Sequence, residues 1–310
     1  MASLVLLCQN PVLTDWLAAL FAEHAPQLQV LRPEDAQAAD AEIAVCWFPP
    51  QGSLGRLPNL RLVHSIGSGV DHLAQDDSRN PALPVCRVVD PDHTLGMSEY
   101  VHWGVLHFHR GFDQVIAGNA TQHWQRPKQR KAQDFKVGVM GLGAIGAPVA
   151  VRLAEAGYDV RGWARTPKDI EGVKTFGGPQ VLHEFLGELD VLVNLLPLTA
   201  TTQGLLGHEV FRHMARGSAL INCGRGQHLD ADGLGQALAS GQLRGALLDV
   251  FEQEPLPADS PLWHTPGVWV TPHMASAASD RCIAEQVAEN MTRLANGAEL
   301  NNLVDPELGY

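Results

Sequence analysis

The sequence is short of positive charge. Lysine and arginine together number 22 against 34 aspartates and glutamates in 310 residues, and the formal net charge is −12. A chain this acidic is ill suited to the phosphate backbone of a nucleic acid or to an anionic membrane face. Cysteine is scarce as well. Cys8, Cys46, Cys86, Cys223 and Cys282 are odd in number, scattered and in no metal-ligand spacing. Such usage reads as reduced thiols in a cytoplasmic protein, with neither a disulfide framework nor a metal site. No apolar run approaches the roughly 20 residues of a membrane span. The opening run Ser3–Cys8 has no Lys or Arg before it and is too short for a secretion signal, so it reads as a buried strand. Repeats and low-complexity tracts are also lacking. What remains, at 45% hydrophobic and 18% charged residues, is the composition of a globular protein.

What is present is an alternation of short apolar runs with longer amphipathic ones. Leu4–Leu7, Leu28–Leu31, Ile43–Trp47, Leu60–His64 and Val85–Val88 read as strands, with helical turns around Thr14–Glu23 and Val70–Ala74. A helical pattern from Gly96 to Ala117 leads into a polar stretch, Gly118–Asp134. A second series follows, with strands at Lys136–Met140, Tyr158–Trp163, Val191–Leu195, Ala219–Asn222, Gly245–Asp249 and Val268–Val270, and a closing helix over Ala277–Leu294. Nearly continuous apolar strands separated by helices predict parallel sheets covered on both faces. The length exceeds one ordinary core. The expected fold is therefore α/β, with two Rossmann-like domains and a ligand cleft between them. Residues 1–98, completed by a returning helix at 276–310, form the first domain, and residues 99–275 form the nucleotide-binding one.

The second series opens on a dinucleotide signature. The strand ending at Met140 runs directly into Gly141-Leu142-Gly143-Ala144-Ile145-Gly146, a helix begins near Ala144, and another strand follows. A lone G-x-G-x-x-G is weak, but this one sits between strand and helix as a pyrophosphate-binding turn must. Gly141 would make the tight turn, Gly143 would admit the pyrophosphate and Gly146 would let helix pack on strand, with the helix N-terminus facing the anion. A site for NAD would place Asp or Glu about 20 residues on, against the ribose 2′-hydroxyl. Here that place holds Arg165, followed by Thr166 and Lys168. A guanidinium fork with two further donors suits a 2′-phosphate, hence NADPH, with NADH the weaker alternative.

Three further patterns lie on successive strand ends: Asn222-Cys223-Gly224-Arg225-Gly226, Asp249-Val250-Phe251 through Glu254-Pro255, and Thr271-Pro272-His273. Parallel sheets bind ligands beyond the carboxyl ends of their strands. A carbonyl that accepts hydride needs a proton donor, a cation for a neighbouring carboxylate and an acid to orient the base. His273, Arg225 and Glu254 meet those needs.

With these motifs the chain resembles the D-isomer-specific 2-hydroxyacid dehydrogenases along nearly its whole length. Within that family it is similar to the glyoxylate/hydroxypyruvate reductase A branch, on Trp47-Phe48-Pro49-Pro50, Trp163-Ala164-Arg165-Thr166, Ser260-Pro261-Leu262-Trp263 and Gly309-Tyr310. The resemblance implies that His273 protonates the ketone oxygen, that Glu254 hydrogen-bonds His273 and favours its protonated form, and that Arg225 binds the substrate carboxylate. It implies that the backbone amides of Gly67, Ser68 and Gly69 also hold that carboxylate. Ala144, Ile145, Trp163, Leu196, Pro197, Cys223, Gly224 and Asp249 would line the cofactor site. Trp47 reads either as a wall of the substrate pocket or as a core tryptophan. The resemblance further implies a small anionic 2-keto or 2-hydroxy acid as substrate and a homodimer built on the segment around Arg126–Lys131. A bulkier keto acid such as phenylpyruvate, or a nicotinamide-sensing regulator on the same fold, is the alternative. His102, His107 and His109 do not stack on one helical face, so they are not read as metal ligands.

Overall fold

The computed structural model describes residues 3–305 and residue 309. It divides into two compact units, residues 1–93 with 277–310 and residues 94–276. The first unit carries strands β1 (Ser3–Cys8), β2 (Gln29–Leu31), β3 (Ile43–Trp47), β4 (Leu62–Ser65) and β5 (Val85–Cys86). They form one parallel sheet in the order β2-β1-β3-β4-β5. Helix α1 (Pro11–His24) starts where Asn10 accepts a hydrogen bond from the Val12 N–H and Pro11 takes the first helical position, a combination that satisfies one orphan donor and removes another. Side chains alternate between the two faces. Leu4, Leu6, Ile43, Val45 and Leu62 pack under Leu17 and Phe21 of α1, while Val5, Leu7, Ala44, Cys46 and Val63 face the opposite way into a second core.

The second unit begins within α2 (Pro91–His109), which is followed by α3 (Phe112–Ala120). One continuous helical stretch was the expectation from sequence. The structure breaks it at Gly111, which adopts φ +71° and lies so close to Pro127 that a Cβ would meet the Pro127 Cβ at 2.7 Å. Then come β6 (Lys136–Met140), α4 (Gly146–Glu155), β7 (Asp159–Ala164), β8 (Lys174–Gly177), α5 (Leu182–Leu186), β9 (Val191–Asn194), α6 (His208–His213), β10 (Ser218–Asn222), α7 (Ala231–Ala239), β11 (Leu243–Leu248) and β12 (Val268–Val270). All seven strands are parallel, in the order β12-β11-β10-β9-β6-β7-β8. The edge strand β8 is an addition to the sequence reading. Its Lys-Thr-Phe-Gly composition gives no apolar run, and only Phe176 is buried.

The strand order reverses between β6 and β9, which makes their carboxyl ends the crevice where open α/β sheets bind ligands. The last helix, α8 (Asp280–Ala295), returns to the first unit and packs Ile283 and Val287 against its sheet. It starts later than Ala277 because Ser279 is its cap: Ser279 Oγ accepts the Cys282 N–H at 3.4 Å, and the Ser279 N–H and Oγ donate to Asp90 Oδ2 at 2.7 and 3.0 Å. Asn290 of α8 reaches the buried His64 of β4 at 3.2 Å. Tyr310 lies outside the described residues.

Candidate active site

At the end of β6 the chain turns on Gly141, whose φ of +97° is left-handed. A Cβ there would lie 2.6 Å from the Leu195 carbonyl oxygen, and a Cβ on Gly146 would lie 1.7 Å from the Gly141 carbonyl oxygen. Neither position accepts a side chain without moving backbone. Gly143 is the opposite case, with no atom within 4 Å of where its Cβ would stand. Gly143 and Ala144 are exposed and Ile145 is half-buried, directly ahead of α4. Within the first turn of α4, Ala147 and Val149 donate to the Gly143 and Ile145 carbonyls at 3.1 and 3.2 Å and Pro148 has no N–H, so what this end offers an anion is the helix dipole and the open space over Gly143. The cradle therefore fits a dinucleotide pyrophosphate.

Beyond β7, Arg165, Thr166 and Lys168 are all exposed on one turn. The turn is fixed from behind: Thr175 Oγ1 donates to the Lys168 carbonyl at 2.6 Å, and Gly177 lies against Pro167 so closely that a Cβ would meet its nitrogen at 2.6 Å. Trp163 differs from the sequence reading. Its indole N–H donates to the Gly178 carbonyl at 2.9 Å and its ring lies in the core beside Phe176 and Phe185, so it shapes the strand and turns little surface to a ligand. The side chains of Leu196 and Cys223, both 8% exposed, are likewise mostly core. Burial, helped by the nearby Asp249 charge, raises the Cys223 thiol well above its ordinary range, so no thiolate nucleophile forms there.

The ends of β10, β11 and β12 bring Arg225, Glu254 and His273 into one region of the second unit. His273 Nδ1 and Glu254 Oε2 are 2.7 Å apart, and Glu254 Oε1 accepts the Phe251 N–H at 2.9 Å. Burial opposes the Glu254 charge. The hydrogen bonds from His273 and Phe251, together with the positive charges of His273 and Arg225, outweigh it and hold this carboxyl below its ordinary pKa. Gly226 explains how the Arg225 loop comes so near: a Cβ on it would lie 1.8 Å from the Phe251 carbonyl carbon. Backbone presses on backbone there, and only glycine permits it.

His273 itself has φ +51°, an uncommon conformation for a side-chain-bearing residue. Its N–H bonds the Asp249 and Thr271 carbonyls at 2.9 and 3.0 Å. The Asp249 carboxylate holds the rest of the loop: Thr271 Oγ1 and the Met274 N–H donate to Oδ1 at 2.6 and 2.9 Å, and the Ala275 N–H donates to Oδ2 at 2.9 Å. Asp249 is 1% exposed. It is thus an anchor for the His273 loop, where the resemblance had implied a lining of the cofactor site.

Sequence reading missed a buried polar knot behind Arg225. Asn194 Nδ2 meets Asn222 Oδ1 at 2.9 Å and His228 Nδ1 at 2.8 Å, and the Arg225 N–H also donates to His228 Nδ1 at 3.0 Å. His228 Nε2 contacts the Pro197 carbonyl at 3.2 Å, and Asn222 Oδ1 accepts the Gly224 N–H at 3.2 Å. These three fully buried side chains tie the loop at Leu196 and Pro197 to the loop at Cys223, Gly224 and Arg225. Asn194 and Asn222 each end an apolar strand, which was their only signal, and His228 lies in the short turn after Arg225 with no signal of its own.

In the first unit, Trp47 ends β3 and lies over Gly67, where a Cβ would come within 2.7 Å of the indole. It also packs at 4.6 Å, centroid to centroid, on His72. The loop after β4 partly revises the expected amide nest. The Gly67 N–H turns inward to Ser65 Oγ at 3.2 Å, and Ser65 Oγ in turn donates to the Gly69 carbonyl at 3.0 Å. The N–H groups of Ser68 and Gly69 have no hydrogen-bond partner among the described residues. The donor set is therefore this pair, without Gly67.

The chain as a whole is similar to known proteins. Residues 103–275 match the D-isomer specific 2-hydroxyacid dehydrogenase, NAD binding domain. Over 301 residues, 96% of each chain, the protein is 37% identical to a glyoxylate/hydroxypyruvate reductase A of Serratia proteamaculans. Its fold superposes with TM-score 0.93 on a D-isomer specific 2-hydroxyacid dehydrogenase family protein of Klebsiella pneumoniae, at 46% identity over 99% of this chain and 98% of that one. A D-isomer specific 2-hydroxyacid dehydrogenase of Xanthobacter autotrophicus, solved in complex with NADPH and MES, matches with TM-score 0.91 at 40% identity over 100% and 99% of the two chains.

Proposed function

The chain belongs to the D-isomer specific 2-hydroxyacid dehydrogenase family, and from that premise we propose that it reduces a small 2-keto acid, of the glyoxylate or hydroxypyruvate type, to the 2-hydroxy acid. The observation that carries this reading is the 2.7 Å contact between His273 and Glu254 beside the Arg225 loop. The turn from Gly141 to Gly146 holds the pyrophosphate of NADPH, and Arg165, Thr166 and Lys168 take its 2′-phosphate. When bound, the reduced nicotinamide supplies the hydride that forms the new C–H bond at the keto carbon.

The protein's own groups do the rest. Arg225 pairs with the substrate carboxylate and, through its charge, draws electron density toward the carbonyl oxygen. In the first unit, the amide pair at Ser68 and Gly69 is suited to an anion, and the Trp47 ring offers an apolar surface. Glu254 fixes the His273 ring through Nδ1, which leaves Nε2 to give its proton to the carbonyl oxygen as negative charge develops there. The resulting imidazole is reprotonated from solvent. Positive potential is thus local in a protein whose net charge is −12.

We further propose a homodimer formed on the exposed apolar residues of α2 and α3, among them Trp103, Phe112 and Ile116, which are 44%, 51% and 42% exposed. Five free cysteines, three of them buried, suit a reducing compartment, and we place the protein in the cytoplasm. Among the described residues no helix is long and apolar enough to cross a membrane.

The test is to follow NADPH oxidation against glyoxylate, hydroxypyruvate and phenylpyruvate. Efficient turnover of the first two is expected. A preference for phenylpyruvate would shift the reading to a bulkier substrate, and tight cofactor binding without turnover of any keto acid would favour a nicotinamide-sensing regulator.

A further inference from the structure

The His273 loop is tied to α2 at two places. Tyr100 and His107 are seven residues apart on that helix, two turns and about 10.5 Å along one face. His107 packs edge-on against Trp269 of β12, with ring centroids 4.9 Å apart. Tyr100 Oη lies 2.5 Å from Thr271 Oγ1, just beyond the end of the same strand. Thr271 spends its hydroxyl proton on Asp249 Oδ1 at 2.6 Å, so its oxygen is the acceptor and Tyr100 is the donor. Burial raises the Tyr100 pKa, which keeps the phenol protonated and donating. The donors therefore run in one direction, from Tyr100 to Thr271 to Asp249, and Asp249 also receives the N–H groups of Met274 and Ala275.

We propose that Tyr100 is a positioning residue for proton transfer, acting through Thr271 and Asp249 on the loop that carries His273. The inference rests on His273 being the proton donor of the proposed reaction. The backbone of His273 is in the left-handed region and is held there by hydrogen bonds to the Asp249 and Thr271 carbonyls. Such a conformation persists only where its surroundings over-determine it. Without the phenol hydroxyl, Thr271 Oγ1 loses its donor, and its bond to Asp249 loses the polarising support of that donor. The Thr271 side chain, now held only through Asp249, is free to shift, and the segment before His273 loosens with it. Small misplacements of a proton donor slow a reaction without changing what the enzyme binds.

The experiment compares Tyr100→Phe and Thr271→Ser with the wild type, and each with the His273→Asn background. Tyr100→Phe removes one oxygen atom. It is expected to lower kcat with glyoxylate or hydroxypyruvate by about three- to tenfold, the range of one hydrogen bond. KM and the NADPH dissociation constant should stay within about twofold and the solvent deuterium isotope effect on kcat should rise, as proton transfer becomes more limiting. Thr271→Ser keeps the hydroxyl relay and should retain wild-type kcat. In the His273→Asn background, Tyr100→Phe should have little further effect, because the group it positions is gone. An unchanged kcat and isotope effect in Tyr100→Phe overturns the proposal, as does a full additional loss in the His273→Asn background. Loss of melting temperature and NADPH affinity together with kcat also overturns it, in favour of a purely structural role. If His273→Asn itself keeps turnover, the assignment of the proton donor fails and the positioning role falls with it, whatever Tyr100→Phe shows.

Discussion

His273 Nδ1 lies 2.7 Å from Glu254 Oε2, and the His273 backbone is left-handed at φ +51°. The two facts belong together. The carboxylate fixes one ring nitrogen, and the backbone aims the ring from a conformation that most residues avoid, so Nε2 is the nitrogen left to meet a ligand.

His273→Asn is accordingly the cleanest removal of the proton donor, because asparagine tolerates left-handed backbone better than other polar residues do. We expect kcat to fall by about a hundred- to ten-thousandfold. NADPH affinity, measured by fluorescence titration, should stay unchanged. Turnover close to wild type would strip His273 of its role.

Arg165→Asp should discriminate between cofactors. A charge-assisted bond to a 2′-phosphate is worth roughly 1.5–3 kcal/mol, so NADPH binding should weaken by at least about tenfold. NADH, which has no such phosphate, should bind about as before or slightly better. Equal weakening of both would show that Arg165 does not read the 2′ position.

A third prediction concerns acid stability. Burial lowers the His64 pKa from 6.5 to about 4, against a small opposing effect of its hydrogen bond to the Ser65 carbonyl. Above pH 6.5 both folded and unfolded chains carry it neutral, and it adds no pH dependence. As pH falls from 6.5 to 4, the unfolded chain takes up a proton that the folded one refuses, so stability declines, by roughly 3 kcal/mol over the window. Urea unfolding of wild type and His64→Gln from pH 7 to 4 measures the effect. The variant should be the less stable at neutral pH and should lose less as the pH falls. Parallel curves would refute it.

The assembly can be tested at Ile116, an exposed apolar side chain on α3. Ile116→Asp places a charge on the proposed dimer face, where burying it unpaired costs several kcal/mol. Sedimentation should give twice the chain mass for wild type and a mass shifted toward the monomer for the variant. A monomeric wild type would reject the interface.

Much of this architecture was readable in advance because parallel strands covered on both faces are nearly continuous apolar runs, as Val191–Asn194 and Leu243–Leu248 are. The glycine turn was readable for a related reason. Gly141 and Gly146 are required by backbone sterics, which a local motif can encode. What escaped depends on distant partners. The Gly67 N–H looks like a ligand donor until Ser65 Oγ takes it, and Trp163 looks like a cofactor wall until its indole bonds Gly178. Gly226 follows Arg225 in the strand-end motif, yet its reason, the backbone of Phe251 against it, lies 25 residues away. The knot of Asn194, Asn222 and His228 needs two strand ends and the turn after Arg225 to be neighbours before it means anything.

The contact of 1.7 Å that a Gly146 side chain would make with the Gly141 carbonyl has a wider consequence. The anion cradle takes its shape from where atoms cannot be, and does not depend on grip by a ligand. Its donors stand in place before any nucleotide arrives, so the ordering entropy of this turn was settled when the chain folded. Whatever rearrangement accompanies the catalytic cycle must be sought in other segments, because here the template is already cast.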